Sequence, residues 1–397
     1  MDPGHDQPPD FDVVLVGGGL AAALASLALL DSEPSVRLAI IERAPRLGGN
    51  HTWCFHAADV PAAAQRIVAP LIVQRWDGYQ VRFPGRSRRL ASPYACITSE
   101  RLHDVVHARF AATRDSALRL GMAARHVGAH EVTLADDTRL TAGLVIDARG
   151  PSLPSEGGGT APRCGYQKFV GLELSVAPHA LTEPVMFDAC IPQRDGFRFM
   201  YMLPLARDRV LIEETFFSDQ PGLDQAQGER AVLAYTATQG LRVRELLRSE
   251  HGVLPMPWSD QSAAPFDVAA RPLSAGYRAG LFHPVTGYSL PLAVRFALAL
   301  SQSDRAHLAH SPLSQFARAH AAQTPFLHLL TRLLFTAFAP AQRFHVLEHF
   351  YRLPEPLIER FYAAELSALD RARVFLGAPP RGFSFGRALG FGAGAAS

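Results

Sequence analysis

Cysteine is scarce in this chain, and a long apolar run is missing. The four cysteines among 397 residues show neither C-x-x-C spacing nor histidines at zinc-finger intervals. They predict reduced thiols of a cytoplasmic protein and argue against a metal site. The first ten residues lack the basic and apolar regions of a signal peptide, and no apolar run reaches the roughly 18 residues of a membrane-spanning helix. We therefore expect a protein that is not integral to a membrane, although it can still lie on one.

An excess of charge of one sign is also missing. The 39 Lys and Arg residues nearly balance the 37 Asp and Glu residues. Because phosphate binding needs clustered excess cations, this balance argues against a nucleic-acid partner. The one basic run, Arg86, Arg88 and Arg89, indicates a solvated loop or, alternatively, a contact with phosphate or a lipid headgroup. With 48% hydrophobic residues the chain can form a packed core, and its length predicts one large or two interleaved domains.

The first part of the chain has the pattern of a dinucleotide-binding unit. An apolar run at residues 11–16 ends at three glycines, a small-residue helix is predicted for residues 20–30, and a second apolar run spans residues 36–41. This order of strand, turn, helix and strand opens a parallel nucleotide-binding sheet.

The glycine turn itself carries the fingerprint. Gly17, Gly19 and Ala22 fit G-x-G-x-x-A, in which the glycines permit a tight turn and let a pyrophosphate approach the helix N-terminus. Glu42 follows Ala22 by 20 residues at the end of the second strand, where an acidic side chain accepts hydrogen bonds from a ribose. The alternative is a glycine turn that binds nothing.

Two later glycine-bearing segments favour FAD over NAD as the dinucleotide. The first follows the Glu42 strand, where flavoproteins often pass the chain beneath the flavin, and it supplies Gly48, Gly49, His51 and Trp53. The second opens another helix far downstream, and it supplies Pro284, Thr286, Gly287 and Tyr288. Asp147 ends a further apolar run, of the kind that flavoproteins use near the adenosine and pyrophosphate. The alternatives are a capped helix start for the second segment and packed core positions for His51 and Trp53.

These patterns predict an α/β protein with a Rossmann-type FAD-binding domain, an inserted antiparallel-sheet substrate domain and C-terminal helices. Strand-like runs at residues 197–203 and 210–217, joined by a short turn, indicate the second sheet. Beyond residue 312, leucines and aromatic residues recur at helical spacing. The predicted bounds are 11–165 and 272–310 for the FAD-binding domain, 166–271 for the substrate domain, 311–380 for the helical region, and 1–10 and 381–397 for flexible tails.

A pair of glutamates follows the apolar residues 210–212. Adjacent residues of a strand point to opposite faces, so at most one of Glu213 and Glu214 easily faces a given pocket. A carboxyl group in apolar surroundings has a raised pKa and can stay protonated as a general acid near neutrality. The alternative is a frayed strand end with two surface glutamates.

Six motifs in the same order resemble the bacterial lycopene β-cyclase family over residues 12–380. They are V-G-G-G-L-A, G-G-N-H-T-W, Y-Q-V-R-F-P at 79–84, I-E-E-T at 212–215, G-L-F-H-P-V-T-G-Y-S-L-P, and the aromatic segment 343–362. The second and fifth are far more specific than a general flavin fingerprint. By this resemblance Glu213 and Glu214 correspond to the catalytic acidic pair of the family. Asp188 corresponds to the acid of the family's M-D-A segment, which here is one residue wider, M-F-D-A.

The resemblance implies an isomerisation without net oxidation. A carboxylic acid, Glu213 with Glu214 in support, would protonate C2 at one ψ-end of lycopene, and ring closure and loss of a proton from C6 would give a β-ring. Lycopene would thus yield γ-carotene and then β-carotene. The family uses reduced FAD, with NAD(P)H as the expected electron source, and the negative flavin would stabilise the developing cation in a water-poor site. A flavin-dependent aromatic hydroxylase and a non-catalytic flavin or lipid carrier are the alternatives.

A water-insoluble substrate implies access from a membrane surface or from other enzymes of carotenoid synthesis. The Leu- and Phe-rich segment 325–338, interrupted by Arg332, is predicted to be either an amphipathic helix at the membrane interface or a buried core helix. The expected location is the cytoplasm, with peripheral attachment to a membrane.

Overall fold

The computed structural model describes residues 8–150, 164–258 and 266–388. The strands in this part of the chain are β1 (Phe11–Val16), β2 (Leu38–Glu42), β3 (Thr52–His56), β4 (Gln74–Trp76), β5 (Tyr79–Phe83), β6 (Arg86–Leu90), β7 (Tyr94–Thr98), β8 (Ala117–Leu120), β9 (Ala124–Val127), β10 (Glu131–Leu134), β11 (Arg139–Asp147), β12 (Cys164–Val176), β13 (Val185–Asp188), β14 (Phe197–Ala206), β15 (Arg209–Ser218), β16 (Val243–Pro257) and β17 (Leu273–Ser274). The helices are α1 (Leu20–Ser32), α2 (Gln65–Val68), α3 (Ser99–Ala111), α4 (Gln225–Thr238), α5 (Leu290–Ser301), α6 (Pro312–Thr336), α7 (Phe344–Phe350), α8 (Glu355–Tyr362), α9 (Ala368–Phe375) and α10 (Phe385–Ala388).

The first sheet has the order β8-β2-β1-β11-β10-β9, and β17 also pairs with β11. The pairs among β8, β2, β1, β11 and β17 are parallel, because helical crossovers connect these strands. Helices α1, α3 and α5 cover one face in a shared apolar core. The predicted unit of strand, glycine turn, helix and strand is confirmed in β1, α1 and β2, since their apolar runs are buried on both sides.

The second sheet has the order β16-β12-β15-β14-β13-β5-β6 and is antiparallel except for the pair of β13 with β5. The predicted hairpin is present as β14 and β15, which pair along their whole lengths. One face packs on α4, and the other packs on the C-terminal helices and on the small antiparallel sheet β3-β7-β4. The fold class predicted from the sequence, a Rossmann-type α/β unit with an antiparallel-rich second sheet and C-terminal helices, is confirmed.

Strands β5 and β6 differ from the expected domain layout. They fall within residues 11–165 but belong to the second sheet, because β5 pairs in parallel with β13. The basic run is therefore a strand and not a solvated loop. Arg88 donates to the carbonyl oxygens of Tyr351 and Leu353, and Arg89 forms an ion pair with Glu183. The predicted domain bounds therefore need β5 and β6 to be assigned to the second sheet. The other bounds stay a prediction.

The end of the described chain also differs from expectation. Residues 381–388, predicted within a flexible tail, lie against the end of α6. The Ser384 amide donates to the Ala337 carbonyl oxygen at 2.9 Å, and the rings of Phe383 and Phe338 are 5.6 Å apart. Residues 1–7 and 389–397, the remainder of the predicted tails, fall outside the described residues, as do the segments 151–163 and 259–265 beside the predicted domain borders. Across the three described stretches, no helix combines the length and the apolar character needed to cross a bilayer.

Candidate active site

The turn between β1 and α1 opens onto free space. Gly17 has a φ of +98°, and a Cβ there would lie 2.8 Å from the Ala148 carbonyl oxygen, so only glycine fits. A Cβ at Gly19, by contrast, would meet no atom within 4 Å. Ala22 is fully buried in the first turns of α1 and lets that helix pack closely. The N-terminus of α1 therefore presents its amide groups to an open cradle that suits a pyrophosphate.

Two acidic side chains stand beside this turn with different partners. The Glu42 carboxylate accepts hydrogen bonds from the amides of Gly18 at 2.6 Å and Ala44 at 2.8 Å. A carboxylate has about four lone-pair sites, so Glu42 can still accept from a ribose hydroxyl. Asp147 instead forms ion pairs with Arg149 and Arg278, both at 2.8 Å. These two ion pairs connect the end of β11 to the residues that follow it and to the segment before α5.

The segment that follows β2 is tied directly to the glycine turn. The Gly48 amide donates to the Gly18 carbonyl oxygen at 2.8 Å, and both Gly48 and Gly49 have positive φ values. The chain then turns into β3, and His51, directly before this strand, and Trp53, within it, line a cavity that the second sheet also lines. Burial and the positive charge of Arg248 lower the pKa of His51, which favours the neutral ring.

The downstream glycine turn, at residues 283–287 before α5, is held by hydrogen bonds of the buried side chain of His283. Nε2 of His283 lies 2.8 Å from the Phe361 carbonyl oxygen, and Nδ1 accepts from the Val285 amide at 3.2 Å. Burial lowers the pKa of His283 to about 3, so the ring is neutral and donates from Nε2. The Tyr277 hydroxyl donates to the Gly287 carbonyl oxygen at 2.5 Å. These bonds set the turn rigidly at the start of α5.

A cavity of about 200 Å³ lies between the downstream glycine turn, the start of β3 and the second sheet. From the nucleotide side it is lined by His51, Trp53, Thr286, Gly287 and Tyr288. From the second sheet and α8 it is lined mainly by aromatic side chains and two carboxyl groups: Phe169, Phe199, Tyr201, Glu213, Phe217, Glu250 and Tyr362. Of the residues predicted for the nucleotide site, His51, Trp53, Thr286, Gly287 and Tyr288 thus share this largely apolar space with Glu213. The other residues predicted for that site are not part of its lining.

Of the three acids predicted to be catalytic, Glu213 is the one that lines this cavity. Along β15 the side chains alternate, so that Glu213, Thr215 and Phe217 line the cavity. Burial raises the pKa of Glu213 to about 8, the charge of Glu250 adds to the rise, and the hydrogen bond from the Thr215 hydroxyl opposes it. Glu213 is therefore largely protonated at neutral pH and can donate a proton into the cavity.

Glu214 points to the opposite face of the sheet, as the alternation of strand residues requires. It is 1% exposed, and its Oε1 accepts from Arg198 at 2.5 Å and from Arg194 at 2.9 Å. The two guanidinium groups form short, charge-assisted hydrogen bonds with this carboxylate. Glu214 therefore does not line the cavity, and its ion pairs tie β15 to Arg194 and to Arg198 of β14.

Asp188 is likewise separate from the cavity. Its carboxylate accepts from the Tyr235 hydroxyl at 2.8 Å and the Cys190 amide at 3.0 Å, and it lies 3.5 Å from the Arg82 guanidinium. These contacts join β13 to α4 and β5. Pro284 is also buried outside the cavity lining, within the downstream turn.

The sequence patterns indicated Tyr288, but they assigned no role to Glu250 or to the other tyrosines in and beside the cavity. The Tyr94 hydroxyl is hydrogen-bonded to that of Tyr288 and lies 3.2 Å from that of Tyr201, and the hydroxyls of Tyr351 and Tyr362 are 2.8 Å apart. Burial raises the pKa of all five phenols, which therefore stay neutral. These residues come from separate segments, so their proximity depends on the fold, although Tyr288, Tyr351 and Tyr362 lie within motifs that the sequence analysis quotes.

Comparison with known proteins identifies the family. The model of a family described as "Lycopene cyclase protein" matches residues 12–388. The chain belongs to this lycopene cyclase family.

Two curated relatives support the assignment to the lycopene cyclase family along the full length. The lycopene beta-cyclase of Pantoea ananas is 42% identical over 376 residues, which cover 94% of this chain and 96% of the relative. That of Pseudescherichia vulneris is 41% identical over 374 residues, covering 93% and 94%. Among solved structures, a flavin-dependent brominase has a TM-score of 0.64 at 11% identity and covers 89% of this chain and 93% of its own. At that identity, the likeness shows that this cyclase family member shares the fold and no more.

Proposed function

We propose that this protein is a lycopene β-cyclase, an isomerase that closes the ψ-ends of lycopene to β-rings by acid catalysis, giving γ-carotene and then β-carotene. The observation that carries the proposal is the position of Glu213, a carboxyl group with a raised pKa in an aromatic cavity that the downstream glycine turn also lines. Membership of the family and the named relatives at 41% and 42% identity support it. A cavity of about 200 Å³ is smaller than the sites of drug-sized ligands, so it suits one end of a C40 chain.

The chain's own residues supply the acid and the walls of the reaction space. Glu213 donates its proton to C2 of the terminal double bond, the C5=C6 bond attacks the cation at C1, and the ring cation loses a proton from C6. One proton enters and one leaves, so the formula is unchanged. Aromatic faces stabilise positive charge on a substrate, and the rings of Phe199, Tyr201 and Tyr288 line the cavity for this purpose. The same apolar walls exclude water, which would otherwise capture the cation as an alcohol.

We further propose FAD, in its reduced form, as the dinucleotide. Two features of the chain fit it. The cradle in front of Gly19 is open, and Oε1 of Gln167 in the cavity wall is buried without a hydrogen-bond partner among the described residues, so it can accept from a polar ligand. Bound reduced flavin would supply negative charge next to the cavity, which favours a cation there. NAD(P)H as its electron source stays a prediction.

We also propose that the C-terminal helices attach the protein to an anionic membrane surface. Large apolar side chains are exposed there at Leu369, Phe375, Leu376 and Phe385, by 51–71%. Residues 371–388 contain four arginines and no Asp or Glu. This surface lies along α6, because the rings of Phe326 and Phe375 pack at 5.8 Å. Exposed apolar side chains among arginines suit a bilayer interface with anionic headgroups.

Most of the segment 325–338, predicted to be either an interfacial helix or a buried core helix, lies in α6, and one face of this part of α6 is buried in the core. Leu327, Thr331, Leu334 and Phe335 are buried, while Leu329 and Arg332 are exposed. The membrane surface is tested by sedimentation with phosphatidylglycerol vesicles and with neutral vesicles. The double variant Leu376→Gln/Phe385→Gln should bind the anionic vesicles at least about tenfold more weakly. Leu246→Gln, an exposed leucine on β16, should leave binding unchanged. Wild-type protein that stays in the supernatant with both vesicles refutes the proposal.

Expression in a lycopene-accumulating bacterium tests the cyclase. Wild type and the control Glu245→Gln, an exposed glutamate on β16, should convert lycopene to β-carotene, as seen by chromatography. Glu213→Gln should leave lycopene unchanged, although the variant protein accumulates. Full conversion by Glu213→Gln would move the acid elsewhere, and no conversion by wild type would refute the activity.

A flavin-dependent oxygenase is the rival function, since the fold is shared with a flavin-dependent brominase. The two functions differ in their need for oxygen. With dithionite-reduced FAD under anaerobic conditions, a cyclase turns over repeatedly, whereas an oxygenase gives no product without oxygen.

A further inference from the structure

Three neighbouring strands bring a second carboxyl group to Glu213. In the register of the second sheet, Gly171 of β12 lies opposite Glu213 of β15 on one side. On its other side it lies opposite Glu250 of β16. Residues paired in this way share one face of the sheet. Glu213, Gly171 and Glu250 therefore form a row that faces the cavity, and both glutamates line it.

The glycine in the middle of this row is what lets the carboxyl groups approach each other. A Cβ at Gly171 would lie 2.9 Å from Cγ and 3.2 Å from Oε1 of Glu250, and 3.6 Å from Cβ of Glu213. Any side chain at Gly171 would thus occupy the space between the two glutamates. Glycine in a strand interior weakens the strand, and it typically marks a place where another group must come close.

The two carboxyl groups have different charged surroundings. Glu250 is 3% exposed, accepts from Nη1 of Arg248 at 2.8 Å and lies 3.4 Å from the Thr52 hydroxyl. Arg248 in turn contacts Glu173 at 3.1 Å and Glu100 at 3.7 Å. Glu213 has the neutral Thr215 hydroxyl as its hydrogen-bond donor. The other titratable groups that line the cavity are His51, Cys54, Tyr201, Tyr277, Tyr288 and Tyr362.

We propose that Glu250 is a positioning residue for the acid: it takes the negative charge of the pair across Gly171 and thereby holds their shared proton on Glu213. This inference rests on the proposed cyclase function. Two carboxyl groups this close do not readily ionise together. Because Arg248 stabilises the charge of Glu250, the shared proton belongs on Glu213, which faces the substrate.

The pair also accounts for the return of the proton. When Glu213 protonates the substrate, both carboxyl groups are ionised, which their proximity disfavours. The proton lost from C6 then restores Glu213, so that the pair regains the one proton it gave. Consistent with this arrangement, burial raises the pKa of Glu250 less far than that of Glu213, to about 7, because Arg248 opposes the rise.

The test is the variant Glu250→Gln, read by an infrared titration that needs no substrate. The carbonyl stretch of protonated Glu213 is isolated over a pH series by subtracting, from each protein, the spectrum of the same protein that also carries Glu213→Gln. Removal of the neighbouring charge should lower the pKa of Glu213 by about one unit. Cyclase activity at pH 8 relative to pH 6 should then fall about fivefold, because less Glu213 is protonated. Glu245→Gln, on the same strand but exposed, should change neither measurement.

An unchanged infrared pKa of Glu213 in Glu250→Gln overturns the inference, even if overall activity falls, since a merely structural role lowers activity without moving the titration. If Glu250→Gln does not fold, Gly171→Ala decides instead, because its methyl group separates the carboxyl groups and should lower the same pKa. Wild-type protein that shows the paired titration but does not convert lycopene would refute the cyclase function and leave the pair standing.

Discussion

Replacing Glu213 by glutamine should stabilise the fold at alkaline pH while it removes the proton donor. The pKa of this group rises from 4.5 to about 8 on folding, so the folded protein holds a proton that the unfolded chain releases between these values. The free energy of unfolding of the wild type therefore falls as the pH rises through this window. The full shift would be worth about 4–5 kcal/mol. The expected change in the free energy of unfolding is smaller, about 1–3 kcal/mol, because the open cavity screens part of the charge and because Glu213 titrates together with Glu250.

Urea unfolding of wild type, Glu213→Gln and Glu245→Gln at pH 5 and pH 9 measures this effect. At pH 5 the protonated Glu213 and its amide replacement should be of nearly equal stability. At pH 9 Glu213→Gln should be more stable by about 1–3 kcal/mol, and the exposed Glu245→Gln should follow the wild type at both values. A difference that stays constant between pH 5 and pH 9, or that favours the wild type at pH 9, would refute the reasoning.

Three further predictions concern the residues around the site. Gly19→Ala should reduce FAD affinity at least about tenfold in a fluorescence titration, because the methyl group fills the pyrophosphate cradle. The thermal unfolding of the protein without FAD should not change, since the added methyl group meets no atom within 4 Å. Glu214→Ala should cost about 3–5 kcal/mol in urea unfolding, because it leaves buried Arg198 without its carboxylate, while the pH profile of the remaining activity should not move. Asp188→Asn should lower the free energy of unfolding by about 1 kcal/mol, because the hydrogen bond from Tyr235 is weakened, and should leave the pH profile of activity unchanged. A shifted pH profile in either variant would indicate that the replaced carboxyl group takes part in the reaction.

The parts of the molecule that follow from local pattern could be predicted from the sequence. The first strand is correct to the residue, as Phe11–Val16, because a run of apolar residues that ends in glycines has few other structures open to it. The alternation along β15 correctly indicated that Glu213 and Glu214 face opposite sides. Their chemical roles stay predictions, as do those of the nucleotide-site residues.

The parts that depend on register between distant strands could not be predicted. Glu250 lies beside Glu213 only because both β15 and β16 pair with β12 around Gly171, and nothing near residue 250 signals this pairing. Strands β5 and β6 join the second sheet through β13, about a hundred residues further along the chain. The ion pairs of Asp188 with Arg82 and of Glu214 with Arg194 and Arg198 likewise form only in the folded state. A motif that contains an acid therefore does not reveal whether that acid is free to contact a substrate.

The most direct test of the central claim is anaerobic conversion of lycopene in D₂O by the protein with reduced FAD, followed by mass spectrometry of the product. If Glu213 delivers an exchangeable proton to the ring, the product carries deuterium in the ring and is otherwise an isomer of lycopene. A cyclised product without deuterium, or a product that has gained oxygen or lost hydrogen, would contradict the account.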